Sequence, residues 1–513
     1  MQVFGDIPRL NAKRYPDKMA LIMDDNHLTF RQLNQQTNQL AHGLMSLGVG
    51  PGDKVGIFSY NCIEFVVAYY AIAKCGGVVV PLNFRYKRDE LTYAVNNAAP
   101  KVLFFGSDFI SPVDEARADF DSLVHLVAIS GEPLEEGLTF TNVMEGRSIS
   151  EPAIKVDPAS PCTIMYTSGT TGAPKGVLAS HSAWLNTYVG MIVEGDVLQD
   201  EIALVPIPLF HGGGMHATLQ PTLVMGGTVV IMGRGFDPDR ILSAVNHYKV
   251  TMTMWVPTQL AMLVNHPNTP KYDTSTLKKI WYGSSPISPT VLGASMDLFK
   301  AGFYQWYGLT ETGMVSVLRP EDHVERSQCT GREFFSADLR VVNEKGEDTP
   351  VGEVGEVISA QEPMGMIGYY KMEEVTKRSI RDGWIHTADL ARVEGDGYFT
   401  VVDRLTDMII SGGENIYPQE IENVISSHSG VGEVTVFGIP DEIYGESVCA
   451  VVVKKEGHQL GEEEIINLCA SKLAGYKKPK KVAFVDELPK TPSGKVTKNV
   501  LRDPYWAGRR ERV

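Results

Sequence analysis

Residues 166–177 read YTSGTTGAPKGV. Three glycines, a serine, three threonines and one lysine fall in twelve positions, which is the composition of a loop that holds a polyanion. Glycine admits positive φ and lets backbone N–H groups approach a ligand closely. Inward-facing N–H groups form an anion-binding nest, to which the hydroxyls add donors and Lys175 a charge. The spacing is not G-x-x-x-x-G-K-[ST], so this is not a Walker A loop. A flexible Gly/Ser/Thr linker is the alternative on composition. The flanks argue against it, because Ile164-Met165-Tyr166 before and Val177-Leu178 after are apolar and ordered in character. The segment reads as a phosphate loop set between two structured elements.

The rest of the chain gives that loop a frame. Thr29 is placed to cap a helix with Leu33, Leu40, Leu44 and Leu47 at helical spacing, ending at Gly48. Apolar runs follow at 55–59, 78–82 and 102–106, with a helix expected from Glu64 between the first two. The alternation recurs at 229–232, 251–256 and 279–283, as in an open, mostly parallel α/β sheet. From about 330, short alternating strands separated by Gly- and Glu-rich turns predict a small antiparallel β unit. After Asp403-Arg404 a further helix–strand pattern begins, about the size of a small independent domain.

At 513 residues the chain is too long for one core. Its net charge of −15 argues against nucleic-acid binding, and requires that any anionic ligand be held by a local basic site. Cys62, Cys75, Cys162, Cys329, Cys449 and Cys469 form no C-x-x-C pair and read as buried or incidental thiols of a reducing compartment. The first residues lack the apolar core of a signal peptide. The apolar run 65–73 is cut by Lys74, short of the roughly 20 residues a spanning helix needs. The expectation is a cytoplasmic protein.

Four more islands carry chemistry: QWYGLTET at 305–312, WIHTADLARV at 384–393, DRLTDMIISGGENIYPQEIE at 403–422 and PKTPSGK at 489–495. With the loop at 166–177, in this order and spacing, the chain resembles the acyl-adenylate-forming superfamily from about residue 10 to 505. That superfamily includes acyl-CoA synthetases, peptide-synthetase adenylation domains and firefly-type luciferases. The resemblance implies a large N-terminal domain, 1–403, of two α/β sheet units plus a small β-barrel-like unit. A small mobile α+β domain, 404–513, would follow, pivoting near Thr406.

It also implies roles. Thr167, Ser168, Gly169, Thr170, Thr171 and Gly172, with Lys175, would hold the β/γ-phosphates of ATP. Glu311, with Thr167, would meet Mg²⁺, and Thr310 the α-phosphate. Asp389 and Arg404 would grip the ribose. Gly283, Ser284 and Ser285, with Trp306, Tyr307 and Gly308, would surround the adenine. Lys495 would bridge carboxylate and α-phosphate during adenylation. Ser411, Gly412 and Gly413 would line the pantetheine tunnel of coenzyme A once the small domain swings. Bringing a carboxylate onto ATP joins anions, so cations and donors fixed in place are what the chemistry requires.

The chain departs from the family pattern at three positions: Thr406 at the pivot, Ala388 in place of the glycine of Thr-Gly-Asp, and Ile410 where a second lysine sometimes stands. His211 stands where adenylation domains for amino acids have an aspartate. An α-ammonium would be left unpaired there at a cost of several kcal/mol, so the substrate lacks that group. Gly212, Gly213, Gly214, Met215, Trp255 and Trp306 are expected to line the acyl pocket, for a fatty or an aromatic acid. Coenzyme A is the expected acceptor. Lys477, Lys478, Lys480 and Lys481 are either part of its site or a solvated face. The expected activity is ATP-dependent, AMP-forming acyl-CoA ligation. The alternatives are loading of a carrier protein and a nucleotide sensor without turnover. A homodimer is the expected assembly.

Overall fold

The computed structural model describes residues 1–513 except 123–124, 132, 135–136, 168–173, 406, 413, 491–494 and 508–513. The first helix read from the sequence, Phe30–Ser46, begins as anticipated. Thr29 Oγ1 accepts the Gln32 N–H, and the Gln32 side chain accepts the Thr29 N–H. This reciprocal cap satisfies two of the donors that every helix start leaves free. The helix Ile63–Lys74 is apolar on all sides and buried throughout, from Phe65 to Lys74. Such a helix belongs inside a large core. Among the described residues no helix is long and apolar enough to cross a membrane. All six cysteines are free and five are buried.

Two α/β sheets form, as the alternation implied. One has eight strands, its centre parallel: Lys54–Phe58 lies between Val78–Pro81 and Val102–Phe105. Its antiparallel end is the hairpin Pro161–Thr167 with Lys175–Ser180, which carries the phosphate loop. The other sheet has fourteen strands, and its parallel part includes Ile202–Val205, Met252–Trp255, Lys279–Gly283 and Gly302–Leu309. Strands buried on both faces read as continuous apolar runs, hence the legibility of 279–283 and 251–256.

The β unit read from residue 330 onward takes a different form from the barrel-like one expected. Gly331–Glu333, Leu339–Val342, Val354–Ala360, Trp384–Gly395 and Tyr398–Arg404 extend the fourteen-stranded sheet as an antiparallel end. Among the described residues the path ends at Leu339–Val342 without closing. Gly331–Glu333 pairs with Gly313–Leu318, which joins this antiparallel end to the rest of the sheet. After Arg404 the chain enters a separate five-stranded sheet with its own core, including Ile409, Ile421, Val436, Val452 and Ile465. Asp403 bridges the two units by accepting the Gln419 N–H at the start of the helix Pro418–Ser426. Burial, foremost, pushes its carboxyl up to about 6.

Candidate active site

The ends of four elements meet at one place. Asp389 and Arg404 are fifteen residues apart in sequence but directly paired across the strands Trp384–Gly395 and Tyr398–Arg404. Their side chains form an ion pair, Nε to Oδ1 at 3.2 Å. The other carboxylate oxygen, Oδ2, accepts the Tyr307 hydroxyl at 2.8 Å. Asp389 is 4% exposed, so its two acceptor oxygens are held in place before any ligand arrives.

The turn before it is built by Glu356, which accepts the Ala388 N–H and meets His386 Nδ1 at 2.7 Å. Ala388 has φ +57°, the left-handed region where a family glycine would sit without strain. An L-residue there costs roughly 1–2 kcal/mol, part of which glycine returns through unfolded-chain entropy. Ala388→Gly is therefore expected to raise the stability of the N-terminal unit by about 0.5–1 kcal/mol. Ala388→Val lowers it, because a β-branched side chain tolerates that conformation least. Denaturant midpoints test both; a loss in both variants contradicts the strain.

Glu311 follows the strand Gly302–Leu309. Its turn is pinned by Thr312 Oγ1, which accepts the Leu309 N–H and donates to the Gly313 carbonyl. Gly308 has no room for a side chain: a Cβ would lie 2.1 Å from the Gly313 oxygen. The Glu311 carboxylate accepts the Tyr369 hydroxyl at 2.9 Å, and the Lys175 ammonium sits 5.3 Å from the centre of the same ring. Tyr369 links the phosphate-loop hairpin to Glu311 because Gly368–Tyr369 pairs with Lys175–Ser180. Sequence reading missed it; a tyrosine 58 residues from its partner carries no local signal. Thr167 faces Lys175 across the hairpin, whereas Ser168, Gly169, Thr170, Thr171 and Gly172 lie outside the described residues.

Beside Tyr307, Gly283 admits the Trp306 backbone: a Cβ would stand 2.3 Å from that carbonyl oxygen. Ser284 takes φ +70°, a left-handed position at the end of a strand that bends Ser284 and Ser285 away from the sheet. Strain of this kind, of order 1–3 kcal/mol, gathers where a ligand is held.

Lys495 reaches this place from the small domain. Burial pushes its ammonium down to about 8, and the Arg404 charge adds to that, while Asp389 and Glu311 oppose it. Lys495 in turn acts on His211, whose imidazole burial, foremost, and then this charge push down to about 4. Arg404, Asp389, Glu311 and His211 thus all lie within electrostatic range of Lys495. His211 Nδ1 accepts the Gly213 N–H at 3.1 Å, which leaves the proton of the neutral ring on Nε2.

A Cβ at Gly212 would meet open space, and one at Gly213 would lie 3.5 Å from Ile207. Ile207, Ala217, Met254, Trp281 and Trp306 form one core cluster behind that turn, while Met215 packs in another direction. Trp255 is corrected: it lies on the opposite face of the sheet, against Phe299, because side chains alternate along Met252–Trp255.

The small-domain strand Ile409–Ser411 pairs with Glu414–Ile416; Gly412 is exposed and its N–H is held by the Tyr444 carbonyl. Gly413 and Thr406 lie outside the described residues. Ile410 is on that strand, paired with Asn415, in a different sheet from the Asp389–Arg404 pair. The lysine cluster is dispersed among internal partners. Lys477 pairs with Glu420, Lys480 with Asp441, and Lys481 lies over Tyr505.

Residues 9–370 match the model of the AMP-binding enzyme family, and residues 420–495 that of the AMP-binding enzyme C-terminal domain. The chain belongs to the AMP-binding enzyme family. A feruloyl-CoA synthase from Amycolatopsis sp is 37% identical over 502 residues, covering 98% of this chain and 99% of the relative. A fatty acid–[acyl-carrier-protein] ligase, ScoC, from Streptomyces coeruleorubidus is 33% identical, covering 100% and 98%. The crystal structure of the anthranilate CoA ligase AuaEII with anthranoyl-AMP superposes with a TM-score of 0.91 at 26% identity, covering 98% and 97%.

ATP and coenzyme A are the co-substrates of the acyl-CoA ligases among these relatives. For Mg²⁺, the donor set is the test. Among the described residues no group of three acidic, histidine or cysteine side chains could cage a metal. A magnesium ion commonly uses one or two carboxylates and takes its remaining ligands from phosphates and water, so a lone Glu311 beside the phosphate loop fits a nucleotide-borne ion.

Proposed function

We propose that the protein is an AMP-forming ligase that joins an aromatic carboxylic acid to coenzyme A. One observation carries this reading: Lys495, near the end of the chain, lies close enough to Arg404, Asp389, Glu311 and His211 for the charges to act on one another's protonation. That is the arrangement the first half-reaction needs. Asp389, backed by Tyr307 and Arg404, accepts the ribose hydroxyls. Lys175 and the 168–173 loop hold the outer phosphates. Glu311 would hold a magnesium ion, which when bound neutralises phosphate charge. Lys495 draws carboxylate and α-phosphate together as pyrophosphate leaves. The hinge near Thr406 then carries Lys495 away and brings Ser411, Gly412 and Gly413 to the thiol, which displaces AMP.

An aromatic substrate is favoured by the likeness to a feruloyl-CoA synthase and to an anthranilate CoA ligase. The relative that acts on a carrier protein supports a second reading of the acceptor. The deciding experiment offers each of a set of acids, from decanoate to benzoate and hydroxycinnamates, with MgATP and either free coenzyme A or a holo-carrier protein. The proposal expects an aryl-CoA thioester. Product on the carrier alone, or with fatty acids alone, refutes the acceptor or the substrate class respectively.

A pH dependence follows. Lys495 works as a cation, and with its ammonium pushed down to about 8 that cation is lost as pH rises through about 8. The rate constant kcat/KM for ATP should be level below that value and fall tenfold per pH unit above it. Lys495→Arg, charged throughout, loses this limb whatever its absolute rate. An unchanged limb in that variant assigns the titration elsewhere.

A further inference from the structure

The turn that carries the acyl-side glycines is a π-helix, Gly213–Leu219, running into the α-helix Gln220–Met225. Wide turns of this kind are rare and occur mostly at functional sites. At its centre stands His216, 2% exposed, where neighbouring positions are apolar or small. Both ring nitrogens are engaged: Nε2 with the Tyr69 hydroxyl at 2.8 Å, and Nδ1 with the Tyr188 hydroxyl. The ring lies flat on Trp184, centroids 3.7 Å apart at 12°. The Trp184 indole in turn donates to Thr163 Oγ1 at 3.0 Å, on the strand Pro161–Thr167 that enters the phosphate loop.

A second tie lies one turn on, where the Tyr70 hydroxyl donates to Gln220 Oε1 at 2.7 Å. Burial holds His216 neutral and both phenols protonated. One phenol therefore donates to the ring and the other accepts from it, so the string is directional and leaves the ring no second orientation of equal quality. The turn so held ends in Gly213, whose N–H fixes His211, and in Gly214, where a Cβ would lie 2.5 Å from the Pro208 oxygen.

We propose that His216 is a positioning residue for the acid. Clamped by Tyr69 and Tyr188, it holds the π-turn so that His211 and Gly212–Gly214 present a fixed edge to the acyl group. This rests on the reading that this edge faces the acid. Tyr69, Tyr188 and His216 are none of the residues assigned to the nucleotide, so the clamp is expected to act on acid recognition more than on ATP recognition.

Tyr69→Phe and Tyr188→Phe, which keep the rings, test it singly and together. Two readouts are needed: KM for acid and for ATP in pyrophosphate release, and amide hydrogen exchange across 211–220. The expected result is at least tenfold faster exchange in 213–219, with KM for the acid raised at least tenfold and KM for ATP within twofold. Unchanged exchange overturns the clamp. Faster exchange with an unchanged acid KM, or with both KM values moving together, overturns the positioning role. If the wild type turns over no acid, the proposed function fails, while the exchange comparison still decides the clamp. His216→Gln, keeping one donor and one acceptor, should restore slow exchange relative to His216→Leu, and equal exchange in the two also counts against it.

Discussion

Lys495→Ala is expected to lower the rate of acyl-AMP formation by about a hundred- to a thousandfold, the order seen when one pre-positioned charge-stabilising group is removed from a site. The lysine stands near enough to Arg404, Asp389, Glu311 and His211 for their charges to interact, where the proposed reaction brings two anions together, and alanine supplies no charge in its place. Its own burial already costs it part of its proton affinity, which the Asp389 and Glu311 carboxylates oppose. Thioester formation from supplied acyl-AMP should survive within a few fold, since that step uses the other arrangement of the small domain. Equal loss of both half-reactions would remove Lys495 from the role assigned to it.

Asp389→Asn is expected to raise KM for ATP by about a hundredfold, with a smaller effect on KM for the acid. Hydrogen bonds to a charged acceptor contribute about 1.5–3 kcal/mol each, and a ribose diol engages two. The amide oxygen can still accept the Tyr307 hydroxyl, so the strand pair remains and the effect falls on the ligand. Arg404 loses its ion-pair partner but keeps solvent access, its side chain being about half exposed, which spares the fold the cost of a buried unpaired charge. Direct nucleotide binding measures the effect. A KM that rises for the acid instead would place the ribose elsewhere.

How far such residues could be read from sequence depended on distance along the chain. Asp389, Arg404, Glu311 and Lys495 each stand in a short island with its own turn chemistry, and the structure brings them together. The Thr29 cap and the buried strands at 251–256 and 279–283 were readable because helix starts and strand cores carry local signals. Trp255 was misplaced for a physical reason: a run buried on both faces shows burial but not which face a given side chain takes. Tyr369 and the Tyr69–His216–Tyr188 string were invisible, because their partners lie 58, 147 and 28 residues away and meet only through sheet pairing and helix packing. The antiparallel end of the large sheet was seen as strands, but its continuity with the parallel part depends on one edge pairing, Ser316 with Glu333 and Val317 with Arg332.

The measurement that bears most directly on the account is exchange of labelled pyrophosphate into ATP, without coenzyme A, in the presence of a hydroxycinnamate or benzoate. Exchange that requires the acid, proceeds without the thiol and is lost in Lys495→Ala is the predicted result. A protein that binds ATP yet exchanges no pyrophosphate with any acid, aromatic or aliphatic, would contradict it and leave a nucleotide-binding sensor in its place.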